Sequence, residues 1–151
     1  MKISTRGRYA LRMMLDMVLS DSDKPVRVKE IAERQEISEK YMEQIMSVLN
    51  KAGFVRSVRG PQGGYFLTKK PEEYTVGMIL RLTEGSLSPV DCLEEGAPVC
   101  NRVDSCTTIL LWRKLNDAIR GVVDHVTLQD LVTGARNRIT IILFKITPGS
   151  W

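Results

Sequence analysis

The residues of this 151-residue chain best suited to chemistry are its three cysteines, Cys92, Cys100 and Cys106, which all fall within fifteen positions of one another. Seven residues separate the first two and five the next two, so one loop can bring the sulfurs to a common centre. Thiolates are the soft ligands that iron–sulfur clusters and zinc prefer, and zinc would require one further ligand. The same residues also suit a redox-switching thiol pair or inert thiols packed as small hydrophobes. Spacing alone leaves these chemistries open. Catalysis has no comparable support: His125 is the only histidine, no nucleophile–base pair is readable, and the chain is expected not to be an enzyme.

An odd number of cysteines, and a stretch Met1 to Leu19 without a charged-then-apolar leader, point to a reducing, cytoplasmic setting. No apolar run approaches the roughly 20 residues needed to cross a bilayer, so no membrane association is expected. With 43% hydrophobic residues, the chain can bury one core and carry an appended oligomerisation helix. Its net charge of +4 is unevenly spread. Residues 1–70 hold 14 Lys/Arg against 8 Asp/Glu, whereas residues 71–151 hold 8 against 10. The basic half is the candidate for contact with a polyanion, although surface cations also serve solubility alone.

The elements that must position these groups follow from periodicity. Gly7 to Asp21 carries Tyr9, Ala10, Met13, Met14, Met17 and Val18 at helical spacing. A short extended piece around Val26 and Val28 precedes a second, short helix over Lys29 to Gln35. Glu36 and Ile37 turn the chain, Ser38 is a well-placed N-cap, and Tyr41, Met42, Ile45, Met46, Val48 and Leu49 form the apolar stripe of a third helix that stops at Gly53. Two helices across a tight turn describe a helix-turn-helix, whose later helix lies in the major groove. Phe54 to Val58 and Tyr65 to Leu67 read as strands around the turn Arg59-Gly60-Pro61-Gln62-Gly63-Gly64. This hairpin is a wing, with Arg56, Arg59, Lys69 and Lys70 available to phosphates or a narrow minor groove. Its glycines suit close backbone approach or positive φ. The turn lacks the companions of a nucleotide-binding loop.

Thr75 to Gly85 reads as a fourth helix. Ser86 to Ser105, with Pro89, Gly96 and Pro98, has no sustained period and is a loop whose order must come from something other than its own packing. Cys106 to Val126 resumes helical spacing through Leu111, Leu115, Ala118, Ile119, Val122 and Val123, a stripe that seeks a partner helix. A further short helix begins near Thr127 and ends at Gly134. The β-prone run Thr140 to Phe144 has no place in this scheme.

Four ordered segments carry a resemblance: Met1-Lys2-Ile3-Ser4-Thr5-Arg6-Gly7-Arg8-Tyr9-Ala10-Leu11, Ser38-Glu39-Lys40-Tyr41-Met42-Glu43-Gln44, Val58-Arg59-Gly60-Pro61-Gln62-Gly63-Gly64-Tyr65 and Leu111-Trp112-Arg113. Together with the cysteine loop they resemble the IscR/NsrR/CymR family of bacterial winged-helix transcription regulators over about residues 1–134. Within it the chain looks most like the iron–sulfur branch, IscR, because the CymR branch lacks the cysteine triad. The implied fold is mainly α with a small β-hairpin wing: a winged-helix DNA-binding domain over 1–85, a cluster loop over 86–105 and a dimerisation helix region over 106–134. The tail 135–151 matches nothing.

The resemblance implies that Ser38, Lys40, Tyr41, Glu43 and Gln44 face DNA, with packing against the turn as the competing role for Tyr41. Gln44 can pair with an adenine edge, and Glu43 can accept from cytosine N4 and repel sites that lack it. Arg59 matches a wing arginine that enters the minor groove, beside turn residues Gly60, Pro61, Gly63 and Gly64. Cys92, Cys100 and Cys106 are implied ligands of an iron–sulfur cluster, 2Fe-2S in the favoured form with 4Fe-4S as the alternative. Neither fourth ligand of the relatives carries over, since Ile109 stands where IscR-type proteins have histidine and Arg8 where the NsrR branch has an acidic residue. Asp91, Glu94, Glu95, Asp104 and His125 remain as candidates. The expected protein is therefore a homodimeric regulator, a repressor, on a roughly palindromic double-stranded operator. The alternative is a protein-interaction module with structural zinc or redox-active thiols.

Overall fold

The computed structural model describes residues 2–136; the run Thr140 to Phe144 lies outside them. Helix α1, Thr5–Ser20, begins two residues before the expected start at Gly7 because Ser4 caps it, the Ser4 hydroxyl oxygen accepting from the Gly7 N–H at 3.2 Å. It buries Ala10, Met13, Met14 and Met17, the i, i+3, i+4, i+7 positions of one face. Helix α2, Val28–Gln35, ends where Glu36 adopts φ 55°. Helix α3, Glu39–Lys51, starts at the expected Ser38 cap, whose Oγ accepts from the Tyr41 N–H at 3.4 Å.

Asp16 interrupts the apolar face of α1 and is only 5% exposed. A buried carboxylate must be hydrogen-bonded to remain charged at acceptable cost. Arg34 donates to it through Nη2 at 2.6 Å and through Nε at 3.1 Å, and Gln35 Nε2 donates at 2.8 Å. Arg12 of α1 reaches back to the Gln35 carbonyl at 2.6 Å. The end of α2, and with it the turn into α3, is thereby pinned to α1.

Strands β1, Val55–Val58, and β2, Gly64–Leu67, pair antiparallel with Val55 opposite Leu67 and Val58 opposite Gly64. Val26 adds a short third rung, exchanging two 2.9 Å backbone hydrogen bonds with Tyr65. The base of the hairpin is held by Tyr74, whose side chain is fully buried. Its hydroxyl donates to the Phe54 carbonyl at 2.7 Å and accepts from the Thr68 and Lys69 N–H groups, each at 3.0 Å. Removing it in Tyr74→Phe leaves three backbone groups without that partner, so a loss of about 1–3 kcal/mol is expected. Chemical denaturation measures it, and an unchanged midpoint contradicts this account.

Helix α4, Val76–Glu84, is capped by the Thr75 hydroxyl, which accepts from the Met78 N–H, and ends at Gly85 with φ 80°. The following loop contains two single 3-10 turns, Asp91–Leu93 and Val103–Ser105. Helix α5, Ile109–Val123, begins three residues later than expected and buries none of its residues within the chain. Helix α6, Leu128–Arg136, runs two residues past Gly134. Leu128 and Val132 of α6 are buried, and Leu128 joins the core formed by α1, α3 and α4. Among the described residues no helix is long and apolar enough to cross a membrane.

Candidate DNA interface and cysteine loop

Helix α3 separates its two faces sharply. Met42, Ile45, Met46 and Leu49 are fully buried, whereas Lys40, Glu43, Gln44 and Ser47 are exposed. The exposed four stand at i, i+3, i+4 and i+7, one stripe along the helix. None of Lys40, Glu43 and Gln44 forms an ion pair or side-chain hydrogen bond among the described residues, so their polar ends are available to a ligand. Ser38 is exposed at the head of the stripe; its oxygen is engaged as the cap, and its O–H remains a donor. Tyr41 is half-buried and meets Tyr9 of α1 edge-on, with ring centroids 5.8 Å apart. The Arg12 guanidinium lies over the Tyr9 ring, 5.4 Å from its centroid. Packing is thus one role of Tyr41, as the sequence allowed.

At the wing tip Arg59, Gly60 and Pro61 are exposed and Gly63 and Gly64 half-buried. Gly60 has φ 117°, in the left-handed region that other residues avoid. The other two glycines serve the wing's own backbone. A Cβ on Gly63 would lie 2.3 Å from the Val58 carbonyl oxygen, and one on Gly64 2.5 Å from that of Val26. Arg56, by contrast with Arg59, is drawn onto the Phe66 ring at 4.5 Å.

In the loop, Cys92 is exposed and Cys100 and Cys106 are half-exposed, all as free thiols. Their donor chemistry fits an iron–sulfur cluster or zinc. Their placement does not form such a site: among the described residues no three His, Cys, Asp or Glu side chains gather as metal ligands. Cys106 sits just before α5, its sulfur 3.5 Å from the Thr108 hydroxyl. Hydrogen bonds from Thr108 pull the Cys106 thiol below its ordinary pKa, with a smaller contribution from Arg102. His125 lies beyond the opposite end of α5, on the order of 20 Å away at 1.5 Å per helical residue, so within one chain it is remote from Cys106.

The segment from the end of α4 through α5 is tied down at two points, just before the loop and just after α5. Glu84, the last residue of α4, accepts from the Ser4 N–H at 3.2 Å and the Ser4 hydroxyl at 2.5 Å. Gly7 leaves room for that carboxylate, which a Cβ there would meet at 2.2 Å. Past the loop, Asp124 accepts two bonds from Arg81 of α4, at 2.5 and 3.1 Å. This pairing holds the Asp124 carboxyl below its usual range, against the opposing effect of burial, and raises Arg81. Neither clasp was visible in the sequence, since their partners stand 80 and 43 positions apart.

Comparison with known proteins agrees with this architecture. The chain is 42% identical over 132 residues to the HTH-type transcriptional regulator IscR of Pectobacterium atrosepticum, an alignment covering 87% of this chain and 79% of that one. Among solved structures it matches CymR, the global cysteine regulator of Bacillus subtilis, with a TM-score of 0.72 and 41% identity, covering 88% of this chain and 97% of that one. It matches the structure of T. potens IscR with a TM-score of 0.71 and 37% identity, covering 93% of this chain and 92% of that one. Two of the three branches named by the sequence resemblance, IscR and CymR, are therefore similar to this chain, and both carry names of regulators rather than enzymes. A family model described as Rrf2, iron-dependent transcriptional regulator, matches residues 3–134, and the chain belongs to the Rrf2 family.

Proposed function

We propose that this transcriptional regulator is a homodimer that reads a roughly palindromic operator through α3 and the wing, and that an iron–sulfur cluster held by Cys92, Cys100 and Cys106 controls its operator affinity or site choice. The observation that carries the DNA reading is the exposed Lys40, Glu43, Gln44 and Ser47 stripe on α3. In a major groove, Gln44 presents an amide that can bond adenine N6 and N7 together, and Glu43 accepts from cytosine N4. Without a cytosine, the Glu43 carboxylate is desolvated against phosphates with nothing to bond, and such sites are rejected. Ser38 and Lys40 donate to phosphates, as does the exposed remainder of Tyr41 through its hydroxyl. Arg59, carried forward by Gly60, Pro61, Gly63 and Gly64, enters the adjacent minor groove.

The cluster is 2Fe-2S in the favoured form and 4Fe-4S in the other. When bound, it supplies sensitivity to iron supply, redox state or nitric oxide. The chain's own contribution is mechanical. The loop joins α4 to α5, with the Glu84–Ser4 clasp at its start and the Arg81–Asp124 clasp at the far end of α5, and α1 beneath the first clasp packs Tyr9 on Tyr41 of α3. A change in the loop therefore reaches the dimer helix directly and the reading helix through α1. Repression is the sense of regulation we favour.

Anaerobic purification with an absorption spectrum and iron and sulfide analysis, followed by operator titrations of the native chain and Cys92→Ala, tests both parts. A coloured native protein, a colourless variant and a shifted operator affinity or preference are expected. The affinity should fall steeply with salt, by about 0.9 logarithmic unit per tenfold salt for each phosphate contact. Colourless native protein whose binding responds to oxidants selects a thiol switch instead, a reading favoured by the hydrogen bonds from Thr108 that lower the Cys106 pKa. A partner bound without salt dependence overturns the DNA reading in favour of a protein-interaction module.

A further inference from the structure

Arg27 stands between two elements that the proposed operator complex must hold in register. It is the N-terminal boundary residue of α2, in extended conformation with φ −85° and ψ 139°, and it makes no capping bond to its own helix. A guanidinium has donors only and cannot accept the helix N–H groups. Its Nη2 instead crosses to the wing and donates to the Pro61 carbonyl at 2.7 Å. The neighbouring residue, Val26, is already paired with Tyr65 of β2 by two backbone bonds of 2.9 Å. Gly64 lies so close to the Val26 carbonyl that a Cβ would stand 2.5 Å from its oxygen.

The wing is thus fastened to the helix-turn-helix at two heights: along β2 by the backbone of Val26, and at its tip by the side chain of Arg27. Only the second reaches the turn that carries Arg59, whose chain position is two residues before Pro61. The turn itself is closed by a single backbone bond, the Gly63 N–H to the Gly60 carbonyl at 2.9 Å. Its free end is exposed, so without the tether the tip is ordered by little else.

From this geometry we propose that Arg27 is a positioning residue for operator binding, which fixes the wing tip relative to α3 so that Arg59 meets the minor groove without first being ordered. The inference rests on the DNA reading above. A group that is pre-ordered loses less conformational entropy on binding, and the effect must therefore pass through Arg59. A direct phosphate contact by Arg27 predicts otherwise, because it would act independently of the wing.

A double-mutant cycle separates the two. Operator affinity is measured by fluorescence anisotropy for the native chain, Arg27→Ala, Arg59→Ala and the double variant, with Gln44→Ala as a control on the major-groove side. Arg27→Met accompanies the alanine variant, keeping an aliphatic stem over the turn while removing the donor. The expected result is a loss of about 3- to 10-fold for either Arg27 variant, the size of one exposed charge-assisted hydrogen bond. That loss should vanish when Arg59 is already alanine, and the salt slope should stay unchanged between the native chain and Arg27→Ala. Additive losses, or a slope reduced by about 1.8, which is about 0.9 for one phosphate contact in each half-site, assign Arg27 to phosphate and overturn the inference. Unchanged affinity in the Arg27 variants alone also overturns it and leaves the DNA reading intact. Unchanged affinity in Arg59→Ala and Gln44→Ala as well removes the reading and the inference together.

Discussion

Replacing Leu111 and Leu115 together by glutamate is expected to yield a monomer and to weaken operator binding by roughly 10²- to 10⁴-fold, the range lost when two linked binding modules act singly. The reason lies in the packing of α5. Its fifteen residues include none that is buried within the chain, yet Leu110, Leu111, Leu115 and Val122 are 67, 49, 42 and 38% exposed. An isolated helix of this length is marginal in water, and an apolar stripe on it implies a covering surface. Ile119 and Val123 of α5 line a groove continued by Ile3, Leu80 and Leu87 of the body, so the stripe adjoins further apolar surface. In the proposed homodimer, a second copy of α5 in two-fold arrangement would cover the stripe with its own equivalent. Four glutamates, two per chain, would then face one another in that seam. Because Leu111 and Leu115 are both exposed in the single chain and neither belongs to its core, the variant should keep its helical circular dichroism. Light scattering coupled to gel filtration reads the mass, and a dimer surviving the double substitution contradicts this assignment of the seam.

The parts of the fold that were legible in the sequence are those fixed by neighbours along the chain. The Met13, Met14 and Met17 stripe, the Ser38 cap and the hairpin around Gly60 each depend on residues within a turn or two, and each lies where the pattern places it. Boundaries slipped where a cap, rather than the apolar period, sets the end. Ser4 starts α1 ahead of the expected Gly7, and α5 waits until Ile109 because Cys106 to Thr108 occupy the approach to the helix. Long-range polar contacts were invisible. Nothing local marks Tyr74 as the clasp of the wing, Asp16 as a buried anchor or Glu84 as the partner of Ser4, since each is defined by residues distant in the chain. The cysteine loop is the reverse case: residue type announces its chemistry, but spacing does not dictate that the sulfurs meet, and the folded loop leaves them apart. A loop with so little burial has no packing of its own to impose their convergence, which leaves a bound group or a partner as the source of any fixed arrangement.

For the reader itself, Gln44→Ala carries the largest base-specific effect. A bidentate amide–adenine pair contributes about 1–3 kcal/mol of discrimination. The proposed dimer makes the contact once in each half-site, so about 2–6 kcal/mol is at stake and affinity should fall by at least roughly 30-fold. The substitution is well suited to isolate that contact. Gln44 is exposed and forms no side-chain hydrogen bond among the described residues, and alanine is the residue most favourable to an α-helix interior, so α3 should persist with its buried Met42, Ile45, Met46 and Leu49 unchanged. Two signatures distinguish lost base recognition from a general weakening. The salt slope should be that of the native protein, since no phosphate contact is removed. Changing the paired adenine in both half-sites should cost the native protein as much as the variant loses, and should cost the variant nothing more. Equal losses across unrelated DNA sequences would instead place Gln44 among the phosphate contacts and move the reading of adenine to another residue of the α3 stripe.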